Sequence, residues 1–171
     1  MSSRPKEHTP RPLVLLDVDG VINDAEMLVA IRLADDSEAA AEQLEIDVIE
    51  SHGHHVAVPR YMPGLIQALV AECEVLWCST WRSFANDEIA AHLGIGPLLV
   101  VDDGTLSAGT AWKAGAARPA INDALAAGRP VIWIEDFGGT FPDIDGVTFI
   151  DTAEWGVLRP IDLDVEALVG R

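Results

Sequence analysis

Apolar residues in this chain gather into short runs separated by amphipathic stretches. Four runs, at 13–18, 75–78, 98–101 and 131–134, carry scarcely a polar position. Runs of that length without alternation fit strands buried on both faces, as in a parallel sheet covered by helices. A fifth run at 147–150 fits an edge strand. The segments between them have helical character. Pro63-Gly64 opens a helix that runs to about Glu72 and places Leu65, Leu69 and Val70 on one face. Ser83 or Asn86 suits the cap of a helix through about Leu93, closed by Gly94. Another helix covers about 114–127, closed by Gly128 and followed by Pro130. Strands alternating with helices predict an α/β fold: a Rossmann-like parallel sheet with helices on both faces and right-handed crossovers.

Residues 23–60 interrupt this rhythm. The segment 25–33 is apolar and reads as a short helix, and 37–44 reads as an exposed Ala/Glu-rich helix. The segments 46–49 and 55–58, separated by 50–54, read as a hairpin. This small insert follows the first strand directly, so it is expected to fold over that strand's end as a flap. No linker marks a second domain. The chain divides into a mobile tail, 1–12, and one α/β domain, 13–171, that contains the insert.

Charge narrows the partners. Only 11 Lys and Arg face 28 Asp and Glu, a formal net charge of -17. That balance disfavours long nucleic acids and anionic membranes, because both are bound by neutralising phosphates with cations. It leaves room for a phosphorylated small molecule or a nucleotide. The sequence assigns no oligomeric state. Cys73 and Cys78 lie in apolar surroundings and read as buried free thiols, which suits a reducing cytoplasm. The tail holds Arg4, Lys6 and Arg11 among prolines and lacks the apolar core of a targeting signal. No apolar stretch approaches the roughly 18 residues that span a bilayer.

In α/β sheets ligands bind beyond the carboxyl ends of the strands, so the residues after each run carry the chemistry. The first run ends in Asp17-Val18-Asp19-Gly20-Val21. Alternation along a strand puts residues i and i+2 on one face, so Asp17 and Asp19 are expected side by side. Like charges so placed call for a counter-ion, and paired carboxylates suit Mg²⁺. Gly20 permits a sharp turn against a ligand. Ser79, Thr80, Trp81 and Arg82 follow the second run, Trp112-Lys113 precedes the helix to the fourth, and Glu135-Asp136 follows the fourth.

This set suits chemistry at phosphorus. A carboxylate attacks to form an acyl phosphate, and a cation offsets the repulsion between the anions. A hydroxyl and a lysine bind the phosphoryl oxygens, while a second carboxylate moves the protons. Ser79 is favoured over Thr80 for the phosphoryl group because it comes first after the run, although either suits a helix cap. Arg82 reads equally well as a substrate contact or as the partner of a surface carboxylate. His52-Gly53-His54-His55 suits a hairpin tip better than a metal site. Trp77 and Trp133 read as core. Asn23 and Asp24 read either as substrate contacts at the flap hinge or as turn residues, and Asp102-Asp103-Gly104 as a turn without chemistry.

Asp17-Val18-Asp19-Gly20-Val21, Ser79, Lys113 and Glu135-Asp136 together resemble the four ordered motifs of the haloacid dehalogenase superfamily. The resemblance spans about 13–150. The segments Val75-Leu76-Trp77-Cys78-Ser79-Thr80-Trp81 and Val131-Ile132-Trp133-Ile134-Glu135-Asp136 are similar to a group of small bacterial members with minimal caps, some of whose relatives are linked to nucleic-acid end repair. The resemblance implies that Asp17 is the nucleophile and a ligand of Mg²⁺. Asp19 would be the general acid and base, with its backbone carbonyl also on the metal. Ser79 would bind the phosphoryl group and Lys113 would hold both that group and Asp17. Asp136 is favoured as the fourth-motif metal ligand, with Glu135 as its alternative because similar proteins often carry Asp-Asp there. The second Asp favours phosphoryl transfer over dehalogenation. The implied activity is a Mg²⁺-dependent phosphatase acting on phosphate monoesters.

Rival readings exist in other classes. Signalling receiver domains also combine acidic residues, a hydroxyl, a lysine and Mg²⁺, with the acceptor Asp after the third strand, where Asp102-Asp103 stands here. The Asp-x-Asp-Gly spacing argues against this. A catalytically silent phosphate-binding domain is the other alternative, and the intact residue set argues against it.

Overall fold

The computed structural model of the chain describes residues 10–102, 104 and 111–168. Its elements begin with β1 (Leu13–Leu16), α1 (Ala25–Leu33), α2 (Ser37–Gln43), β2 (Ile46–Ser51), β3 (His54–Pro59) and α3 (Met62–Glu72). They continue with β4 (Glu74–Trp77), α4 (Glu88–Leu93), β5 (Leu99–Val100), α5 (Ala111–Ala126), β6 (Val131–Glu135), β7 (Val147–Asp151) and α6 (Val165–Leu168). Five strands form one parallel sheet in the order β5-β4-β1-β6-β7, and β2 pairs with β3 as an antiparallel hairpin. The α/β fold with a hairpin insert after β1 is the one the apolar runs predict.

Period-2 alternation divides the core. Val14 and Leu16 face one apolar cluster with Ile66 and Leu69 of α3 and Ile89 and Leu93 of α4. Leu13 and Leu15 face the other, with Ala117 and Ile121 of α5 and Val131 and Trp133 of β6. Helices therefore cover both faces, which is what lets four-residue strands be apolar on both sides.

Several boundaries differ from the sequence reading. β1 stops at Leu16 instead of continuing through Val18: the Asp17 amide still donates to the Ile134 carbonyl at 3.1 Å, but from Val18 the chain turns. The helix expected from Ser83 or Asn86 starts at Glu88, after a 3₁₀ turn at Arg82–Asn86. Asn86 is occupied elsewhere: its side chain accepts from Trp77 Nε1 at 2.9 Å and from Leu98 N at 2.7 Å. α5 begins at Ala111, so Lys113 lies within the helix rather than before it. The hairpin strands are longer than expected, and only His52-Gly53 separates them. Both turn residues have positive φ, 50° and 78°, as a two-residue hairpin turn requires.

Of the tail, residues 1–9 lie outside the described residues, as does Asp103 of the Asp102-Asp103-Gly104 turn. Arg11, assigned to the mobile tail, is instead anchored: its guanidinium donates to the carbonyls of Val70 and Cys73 at 2.9 and 2.7 Å, at the C-terminus of α3. Cys73 and Cys78 are free and buried, and burial pushes both thiols up. Among the described residues no helix is long and apolar enough to cross a membrane.

Candidate active site

The strand order explains where the reactive groups meet. Counted within the main sheet alone, the order is 3-2-1-4-5, and the chain reverses direction across β1. The crevice at such a switch point opens beyond the carboxyl ends of β1 and β6. Leu16 is level with Trp77 of β4 and Ile134 of β6, so Asp17, Cys78 and Glu135 emerge next to one another. By alternation Asp17 continues the Leu13–Leu15 face and Glu135 the Val131–Trp133 face. Both carboxylates therefore point toward α5, where Lys113 waits.

Lys113 is 2% exposed, and its ammonium lies 2.7 Å from Asp17 Oδ2 and 2.8 Å from Glu135 Oε1. Burial works against that ammonium, but the two carboxylates outweigh it and hold its pKa above the ordinary lysine value. Asp17 is nearly as buried. Desolvation raises its pKa, while Lys113, a hydrogen bond from Ser79 and the Val18 amide act in the opposite direction. The second Glu135 oxygen accepts from Trp133 Nε1 at 2.8 Å, and burial raises this carboxyl too. Trp133 is core, as expected, and also clamps Glu135, a role its place inside an apolar run concealed.

Asp136 is exposed and follows β6 directly. Oxygens of Asp17, Glu135 and Asp136 lie within 4.8 Å of one another. Burial first, then Asp17, raises the Asp136 carboxyl. Three carboxylates so close, with no nitrogen or sulfur among them, make a hard oxygen donor set that fits Mg²⁺. Asp19 is not part of this group. The expectation that Asp17 and Asp19 share a strand face fails because the strand has already ended. The Asp19 carboxylate turns toward the flap, where its Oδ1 accepts from Asn23 Nδ2 and its Oδ2 from Trp81 Nε1, each at 2.8 Å.

Asn23 ties this acid to the insert. Its Oδ1 accepts from Ala57 N of β3 at 2.9 Å, so one amide bridges Asp19 and the hairpin. Asp24 is a structural cap: its side chain accepts from Met27 N at 2.9 Å at the start of α1. Ser79 is completely buried, bonded to Asp17 and accepting from Trp81 N at 3.3 Å. Thr80 is exposed on the wall of a cleft of about 630 Å³. Asp19, Asn23 and Trp81 also line this cleft, with Phe84 and the hairpin residues His52, His54 and His55 across from them. Arg82 is not among the lining residues. Its guanidinium pairs with Asp102 and stacks 4.2 Å over the Trp112 ring.

Gly20 is required by position. Its φ is +71°, and a Cβ there would lie 2.6 Å from Asp136 Oδ2. Its carbonyl accepts from the buried Thr152 hydroxyl at 2.6 Å, which fixes the turn from the far edge of the sheet. Gly20→Ala is expected to cost about 1–2 kcal/mol from the left-handed backbone alone. It should also displace Asp136. Chemical unfolding and a Mg²⁺ titration check both, and a variant with unaltered stability and Mg²⁺ affinity would show that the turn tolerates a side chain.

No protein-family model matches this chain, and neither the curated proteins nor the solved structures contain a match. The reading of function rests on the residues and their geometry.

Proposed function

We propose that this protein is a Mg²⁺-dependent phosphohydrolase that cleaves phosphate monoesters through an aspartyl-phosphate on Asp17. One observation carries the reading: a buried ammonium fixes Asp17 from below while Asp136 closes to within 4.8 Å of it. A structural ion pair needs no second exposed carboxylate at that distance, whereas a cation-assisted nucleophile does. The resemblance to the haloacid dehalogenase superfamily supports the same assignment.

Asp17 uses one oxygen to attack phosphorus while Lys113 holds the other. Ser79 and Lys113 donate to the phosphoryl oxygens as charge develops there. Asp19, oriented through both its oxygens by Asn23 and Trp81, gives its proton to the leaving oxygen and then takes one from the water that hydrolyses the acyl phosphate. Asp17 and Asp136, with the Asp19 backbone carbonyl, would hold Mg²⁺, which offsets repulsion between the nucleophile and the phosphoryl group. Glu135 is reassigned within this scheme. Both its oxygens are engaged, so it positions Lys113 and leaves the direct metal contact to Asp136. Thr80 and Arg82 lie outside the phosphoryl site, Thr80 on the cleft wall and Arg82 on Asp102. Small phosphorylated molecules or nucleotides suit a chain of charge -17 better than long nucleic acids, and free buried thiols suit a cytoplasmic protein.

The receiver reading loses ground on topology. Receivers of that kind wind their strands 2-1-3-4-5, whereas this sheet runs 3-2-1-4-5. Trapping the intermediate tests the proposal. An Asp19→Asn variant, impaired in hydrolysing the acyl phosphate, should accumulate phosphate on Asp17 when quenched with acid during turnover and mapped by mass spectrometry. Label on Asp102 instead would favour the receiver, and no label from any phosphate ester would remove the covalent mechanism.

A further inference from the structure

The cleft above Asp19 is walled by rings of which the phosphoryl chemistry uses only Trp81. Phe84 is 53% exposed, a large apolar side chain left in water at a cavity wall. The His52 ring at the hairpin tip stands 4.3 Å from it, tilted by 40°. His54 meets Trp81 edge-on at 5.8 Å. The hairpin and the segment after β4 thus meet ring to ring and together line a cleft of about 630 Å³, a volume in the range of pockets that take small organic molecules. Flat rings bind against such an exposed wall by offset stacking, largely irrespective of their hydrogen-bonding pattern. Trp81 is pinned beside Asp19 by its indole N–H, whereas Phe84 lies a turn further along the chain.

A polar group completes the wall. Arg32, always a donor, gives a hydrogen bond to His55 Nδ1 at 3.0 Å. With Nδ1 accepting from Arg32, the other ring nitrogen of His55, Nε2, is left to donate to the edge of a heterocycle. We propose that the cleft holds a nucleoside monophosphate, with the phosphate at Asp17, the sugar as spacer and the base against Phe84 and His52. This assignment rests on the phosphohydrolase reading for its chemistry and on the rings alone for its ligand.

The test compares adenosine 5′-monophosphate, p-nitrophenyl phosphate and glycerol 3-phosphate as substrates with Mg²⁺, in the wild-type protein and in Phe84→Ala. It adds calorimetric binding of adenosine 5′-monophosphate without Mg²⁺. Phe84 is exposed, so its truncation leaves the core intact. The wild type should prefer the nucleotide, and Phe84→Ala should lower the nucleotide-to-glycerol ratio of kcat/KM about tenfold, the scale of one lost base stack. Nucleotide binding should weaken by a similar factor. An equal loss for p-nitrophenyl phosphate would assign the wall to aryl esters and overturn the nucleotide. Nucleotide binding indifferent to Phe84, or glycerol 3-phosphate used as well as the nucleotide, would overturn the cleft assignment while the phosphohydrolase reading stands. Phe84-dependent binding with no hydrolysis of any ester would do the reverse.

Discussion

Asp17→Asn is expected to abolish turnover while the protein stays folded. The amide keeps the shape of the carboxylate but is no nucleophile, and loss of a covalent nucleophile costs roughly 10³-fold or more in kcat. The fold should tolerate it for a specific electrostatic reason. Lys113 is held by two carboxylates, so removing one charge leaves the ammonium paired with Glu135. The substitution also relieves the desolvation that raises the Asp17 carboxyl, together with its repulsion of Glu135 and Asp136. The melting temperature should therefore hold or rise, the usual trade at a site selected for reactivity over stability. Steady-state kinetics on a generic phosphate ester and a thermal melt are enough to check it. Retained turnover in this variant would remove Asp17 as nucleophile. Lost activity accompanied by a collapsed melt would reduce its role to structure.

Much of this arrangement was legible in the chain because two rules cooperate. Buried parallel strands write themselves as unbroken apolar runs, and ligand sites lie at their carboxyl ends. Asp17, Ser79 and Glu135-Asp136 were legible because each stands directly past such a run, and the insert because it breaks the rhythm. What failed was the extension of a local rule past its element. Alternation placed Asp19 beside Asp17, but β1 ends at Leu16 and the chain turns, so the pair is split between α5 and the flap. Lys113 was located by motif order, yet its burial could not be read, since a lone lysine in a sequence resembles any solvated one. The contact that helps choose between Glu135 and Asp136 comes from Trp133, two residues earlier on the same strand, and one of those that orient Asp19 comes from Trp81, 62 positions away. Indole N–H groups leave no trace in a hydrophobic pattern, because the pattern counts tryptophan as apolar.

The flap shows the same limit. Its hairpin was readable from turn residues and short apolar runs, but its attachment was not. Asn23 reaches from the β1 turn to Ala57, while Ser51 donates to Glu88 Oε2 at 2.9 Å and His52 lies 2.8 Å from Asp87 Oδ2. The insert is therefore moored both at the turn after β1 and on α4. Movement of the hairpin would be felt at Asp19 through the Asn23 amide and through the His54–Trp81 contact. On the proposed mechanism, this coupling would make Asn23 a joint between the flap and the acid–base residue.

Lys113→Met should cost the fold more than Asp17→Asn does. Methionine fills similar volume, so the loss is electrostatic. Asp17 and Glu135 are left buried with no cation, and breaking a buried ion pair from one side typically costs about 3–5 kcal/mol. At roughly 2–4 °C per kcal/mol for a chain of this size, the melting temperature should fall on the order of 10 °C. Loss of the ammonium should also cost roughly 10²–10³-fold in kcat, the scale for one charge-stabilising donor. The sign of the pH dependence comes from the direction of the shifts. Burial already raises Asp17 and Glu135, with Lys113 pulling both down. Without Lys113 both rise further. A carboxyl whose folded pKa exceeds its unfolded value favours the fold while protonated and loses that contribution as pH climbs through the folded pKa. The deficit of Lys113→Met should therefore be smallest in mild acid and grow toward neutral and alkaline pH. Adding Glu135→Gln removes one orphaned charge, so the double variant should regain part of the melting temperature and none of the activity. That separation is the decisive reading: stability tracks the balance of charge around the ammonium, while turnover tracks the ammonium itself. A double variant that recovers both would make Lys113 a purely structural counter-ion, and a single variant with an unchanged, pH-independent melt would show that the buried triad holds no net charge in need of compensation.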